Sequence, residues 1–87
     1  MKNLETLFVE IADRKRNPVE NSNTSKLFAG GVHEIGKKVV EEAAEVWMAA
    51  EYQNEEECAI EISQLLYHLS VMAVERGLSL ADIYKYL

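Results

Sequence analysis

The sequence predicts an all-α domain built on an antiparallel helical hairpin, with shorter helices flanking it. Three observations carry this prediction. Apolar residues recur at helical spacing, no stretch alternates with period two over a useful length, and helix-breaking residues cluster at a few places only. Leu4, Leu7, Phe8 and Ile11 share one face of a first amphipathic helix, from about Leu4 to Arg16, with Asn3 as its N-cap. Asn17 through Asn23 holds the only proline and three asparagines and reads as a loop. A second helix, capped by Asn23 or Thr24, runs to about Tyr52. Inside it Gly30 and Gly31 cost about 1 kcal/mol each. The pair breaks the helix or admits a close neighbour or ligand, and Gly36 loosens the next turn. Gln53-Asn54 forms a short turn, and Asn54 with Glu57 resembles a capping box. The third helix then runs to Arg76, where Gly77 is a natural stop. Ser79 with Asp82 opens a short last helix that ends in Ile83, Tyr84 and Leu87.

With 87 residues the chain is one domain, spanning 1–87. A domain of this size buries only about 60% of its unfolded surface and is marginal alone. Cys58 is the single cysteine, so no internal disulfide staples the fold. It is expected to pack as a small apolar residue, and oligomerisation is the expected substitute for staples. The net charge of −6 weighs against nucleic-acid binding, which needs clustered cations. Positive charge is local: Arg14, Lys15 and Arg16 in one run, and Lys37-Lys38 in another. No apolar run approaches the roughly 20 residues that cross a bilayer, and Lys2 followed by Glu5 and Glu10 is no signal peptide. A cytoplasmic protein without membrane or nucleic-acid partners is expected.

The chemistry lies in an acidic stripe, Glu41-Glu42-x-x-Glu45, followed sixteen residues later by Glu61. At about 100° per residue, Glu45 falls near 40° and Glu42 near 100° from Glu41. Lys38 shares this arc and Lys37 sits at its edge, while Ile35, Val39, Val40, Val46 and Trp47 occupy the apolar side, with Trp47 assigned to the core. Like charges so spaced repel, and a hard divalent ion with oxygen ligands removes that cost. On the third helix Glu57, Glu61, Gln64, His68 and Glu75 form a polar seam within about 60°. In an antiparallel hairpin joined near residue 53, Glu45 and Glu61 stand eight residues from the turn on either side, so the two acidic faces meet at one level. The competing reading of the stripe is a solvated helix face. His68 alone reads more readily as a hydrogen-bonding structural histidine, and His33 as a surface residue.

Ser22-x-Thr24-x-x-Leu27, Gly31, Ile35-x-Lys37-Lys38-Val39-x-Glu41-Glu42-x-x-Glu45 and Glu61-x-x-Gln64-Leu65-Leu66-Tyr67-His68 together make the chain resemble a known family. It is similar to the phosphoribosyl-ATP pyrophosphohydrolases of histidine biosynthesis, a branch of the MazG-type all-α nucleotide pyrophosphatases. The resemblance runs from the first helix to Gly77-Leu78-Ser79-Leu80-x-Asp82. It implies hydrolysis of phosphoribosyl-ATP to phosphoribosyl-AMP and pyrophosphate, with Mg²⁺ or Mn²⁺ in its place, in a helix bundle completed by homodimerisation. It assigns the metal to Glu41, Glu42, Glu45 and Glu61, with Gln64 standing where the family motif carries an aspartate. An amide oxygen can ligate a hard metal, but it brings no negative charge. As a mechanistic expectation, Glu42 or Glu45 accepts the proton of the attacking water. Lys37, Lys38, Ser22, Thr24 and His68 are the expected substrate-binding residues, the lysines as point charges on phosphate. The alternatives are a pyrophosphatase of the same type acting on another nucleoside or deoxynucleoside triphosphate, and a non-enzymatic helical dimerisation module.

Overall fold

The computed structural model describes residues 1–87 and is all helical, with no strand. Helix α1 spans Leu4–Arg16, α2 Asn23–Tyr52, α3 Glu55–Glu75 and α4 Leu80–Tyr84. Each helix begins at a side-chain cap. Asn3 accepts a hydrogen bond from the Thr6 N–H at 2.9 Å, and Asn54 accepts one from the Glu57 N–H at 2.8 Å. The Glu57 carboxylate reaches the Asn54 side-chain amide at 3.5 Å, so this cap is side chain to side chain rather than a reciprocal box. At α4 the box is complete: Ser79 Oγ accepts from Asp82 N–H at 3.1 Å, and Asp82 accepts from Ser79 N–H at 2.9 Å. That contact holds the Asp82 carboxyl below its ordinary range. The cap of α2 is Ser22, one residue earlier than expected, and its hydroxyl accepts from Ser25 N–H at 3.2 Å.

Two glycines do conformational work. Gly31 sits inside α2 at φ 76°, ψ −169°, a region essentially closed to residues with a Cβ, and it kinks the helix into two segments. Each reading holds for one glycine: Gly31 makes the break, and Gly30 admits a close neighbour, since a Cβ there would stand 2.7 Å from Glu34 Cβ. Gly77, at φ 75°, ends α3: its N–H bonds Val74 O at 3.0 Å while Leu78 N–H bonds Ala73 O at 2.8 Å, a Schellman stop.

Helices α2 and α3 form the hairpin, and α1 lies across both. The core is small: Ile11, Leu27, Ile35 and Val71, one or two from each of the three long helices, with Leu7, Phe28, Val39, Tyr67 and Met72 packed around it. Only 8 of the 87 residues are buried, so much apolar surface stays open. Trp47, assigned to the core from its spacing, is instead 68% exposed and donates its indole N–H to Glu51 at 2.5 Å. Val40, Met48, Ile62, Leu66 and Leu69 are exposed as well. Helical periodicity places them on apolar faces, but a single chain has nothing to put against those faces. No helix is long and apolar enough to cross a membrane.

Candidate metal centre

Antiparallel packing of α2 on α3 brings Glu42 and Glu45 to the level of Glu61. One carboxylate oxygen from each lies within 4.8 Å of the others. Glu45 is exposed, while Glu42 and Glu61 are half-buried. Burial is the largest influence on both half-buried groups and raises both pKa values above 4.5, and the Glu45 carboxylate raises them further. A positive charge on His68, when its ring is protonated, and the Lys38 ammonium pull Glu42 back towards its ordinary value. Glu61 Oε2 is enclosed and has no hydrogen-bond donor. An enclosed carboxylate oxygen without a donor costs free energy unless a proton or a cation meets it.

These oxygens fit a hard divalent cation. The donor set is all oxygen, it carries up to three negative charges, and its exposed member leaves one side open to water or phosphate. A soft metal would want sulfur or several imidazoles, and Cys58 is not among the clustered groups.

The other residues singled out from the sequence are distributed around this centre. Glu41 is exposed and stands apart from the three-carboxylate cluster, paired with Lys38 Nζ at 3.4 Å. Lys37 pairs with Glu34 at 3.2 Å on the surface. Gln64 is exposed and faces a cleft between α1 and α3. Its backbone carbonyl meets His68 Nδ1 at 2.8 Å. Because a carbonyl only accepts, His68 Nδ1 carries the proton, and a neutral ring then leaves Nε2 as an acceptor. That Nε2 is buried and without a partner. Ser22 is spent on capping α2. Thr24 is hydrogen-bonded through its hydroxyl to the Tyr67 hydroxyl, which ties the start of α2 to α3. Sequence reasoning passed over Tyr67 as a site residue. It lies about 240° round α3 from Glu61, on the flank beyond Gln64.

Comparison with known proteins adds two findings. Residues 4–87 match the family described as phosphoribosyl-ATP pyrophosphohydrolase. Two curated proteins, each called phosphoribosyl-ATP pyrophosphatase, from Streptomyces avermitilis and Streptomyces coelicolor, are both 56% identical to this chain over 87 residues, covering 99% of it and 97% of the relative.

Proposed function

The chain belongs to the phosphoribosyl-ATP pyrophosphohydrolase family, and from that premise we propose that it hydrolyses phosphoribosyl-ATP to phosphoribosyl-AMP and pyrophosphate, as a step of histidine biosynthesis in the cytoplasm. The observation that carries the reading at this site is the meeting of Glu42, Glu45 and Glu61 from two helices around the donorless Glu61 Oε2. These three would hold Mg²⁺, or Mn²⁺ in its place. Glu41 stands one residue outside the cluster, where it would steady Lys38. Gln64 lines the neighbouring cleft.

When bound by these carboxylates, the cation would supply charge neutralisation for the triphosphate and would make a water at the site more acidic. The chain's own groups supply the rest. Of the three, Glu42 or Glu45 would take the water's proton, through an oxygen not bound to the cation. Lys38, drawn close by Glu41, places positive charge beside Glu42 where phosphate oxygens would lie. His68, fixed by its bond to the Gln64 carbonyl, keeps a buried Nε2 beside Glu42 and would steady the carboxylate face. A second copy of the chain would cover the exposed apolar residues of α2, notably Val40, Trp47 and Met48, and complete the bundle.

The test is pyrophosphate release from phosphoribosyl-ATP with and without Mg²⁺, beside dUTP and dCTP at equal concentration. Release that needs Mg²⁺ and is fastest with phosphoribosyl-ATP is expected. Faster turnover of a deoxynucleotide would move the substrate to the wider pyrophosphatase class. A protein whose melting temperature ignores both metal and nucleotide would be an interaction module.

A further inference from the structure

On the flank of α3 next to the Glu61 face, a cleft of about 770 Å³ opens between α1 and α3, with Asn3, Asn23, Gln64 and Tyr67 among its lining residues. It continues past Lys2, Leu7 and Tyr67 into a recess of about 240 Å³ that adds Glu10, Arg14 and Thr24. Amides and hydroxyls line it beside leucines, and the recess holds Lys2 and Arg14 as cations.

Arg14 is the residue that asks for a ligand. It belongs to the basic run Arg14-Lys15-Arg16, and its two neighbours have carboxylate partners: Lys15 pairs with Glu75 at 3.2 Å and Arg16 lies 4.0 Å from Asp13. Arg14 has none, although it is half-buried and the chain carries a net charge of −6. The one carboxylate beside it in the recess, Glu10, is taken by Lys2 at 2.7 Å. A half-buried guanidinium left with free donors presents a planar fork, the geometry that matches phosphate oxygens.

Resting on the proposed substrate, we infer that this cleft receives the phosphorylated ribose arm of phosphoribosyl-ATP, with Arg14 pairing its terminal phosphate and the Asn23 and Gln64 amides bonding the sugar hydroxyls. The substrate is anionic at both ends. The metal-loaded carboxylates take the triphosphate, and bare carboxylates would repel a second phosphate, so the other end needs a cation of its own at a distance. Gln64 follows Glu61 by three residues and lies about 60° round the helix from it. The carboxylates and the cleft therefore open on neighbouring faces of α3. A nucleoside triphosphate without the second arm would leave Arg14 unused, which makes the cleft a specificity device.

The experiment compares wild type, Arg14→Gln and Arg14→Lys with Mg²⁺ on phosphoribosyl-ATP and on the analogue lacking its ribose 5-phosphate group. Arg14→Gln is expected to raise KM for phosphoribosyl-ATP about tenfold or more, with kcat little changed and KM for the dephosphorylated analogue unaltered. Arg14→Lys recovers part of the loss. An unchanged KM, or an equal rise for both substrates, overturns the inference. If Arg14→Gln does not fold by circular dichroism, Arg14→Lys carries the test through the same selective rise. Ribose 5-phosphate binding, followed by calorimetry, separates this inference from the functional reading. Should wild type fail to turn over phosphoribosyl-ATP at all, the reading fails, while ribose 5-phosphate binding that Arg14→Gln removes still supports the cleft. Absence of that binding overturns it.

Discussion

Two stretches of the same hairpin contrast in what faces inward. Where α2 and α3 carry Ile35 and Val71, both side chains are fully buried, and α1 closes over them through Ile11. Nearer the turn, at Glu42, Glu45 and Glu61, the same two helices turn carboxylates toward each other, one of them with an enclosed oxygen that no donor meets. The first stretch repays ordering with apolar burial, about 25 cal/mol per Å². The second works against the fold through like-charge repulsion and desolvation. The contrast teaches that stability and ligand chemistry are divided along one pair of helices, and that the charged stretch is tolerable because the apolar one anchors it.

Four substitutions or conditions sharpen or break that division. The largest effect belongs to the charged stretch. Glu45→Gln, which removes the carboxylate facing both others, is expected to lower kcat by about 10²-fold or more, with helical circular dichroism retained. Full activity in this variant would sever the carboxylates from the chemistry. Next comes Ile35→Ala, expected to destabilise the fold by about 2–5 kcal/mol in urea unfolding, because it opens a void in a core of only four residues. If it proved as mild as a surface change, the apolar stretch would not be the anchor. Gly31→Ala forces a Cβ into φ 76°, ψ −169° and should cost about 1–3 kcal/mol. Nothing lies within 4 Å of the added carbon, so a measured loss reports backbone strain rather than a clash.

The smallest expected effect is a pH dependence of the metal-free protein. Burial first, then Glu45, raises Glu42 and Glu61 above 4.5, so the folded chain holds these protons more tightly than the unfolded one. Their protonation stabilises the fold fully below that value, and the contribution is lost as pH rises through the raised pKa values. The melting temperature without metal should therefore be higher at pH 4.5 than at a pH above the raised pKa values. Mg²⁺ should lift it more at the higher pH, where both carboxylates are bare. An equal lift at both values would place the cation elsewhere.

Much of this arrangement was legible in the chain. Helix limits followed from breakers and caps, as at Asn3, Asn54, Gly77 and Ser79, because capping is a contact between residues three apart. The level meeting of Glu45 and Glu61 followed from their equal distance to the turn. Trp47 did not follow: apolar periodicity says which way a side chain faces on its helix but not what stands opposite, and here it is 68% exposed. The place of Glu41 did not follow either, since three carboxylates on little more than one turn look equivalent until a second helix chooses among them.

The sequence by itself determined the helices, their order, the hairpin and the family, because each depends on local spacing or on motifs read in line. Only the tertiary structure decided that Glu42 and Glu45 join Glu61 while Glu41 stays with Lys38, that Gly31 breaks α2, and that Arg14 faces a cleft without a carboxylate partner. Those outcomes depend on the rotation of one helix against another, and that rotation is set by how Ile11, Leu27, Ile35 and Val71 fit together across distant parts of the chain.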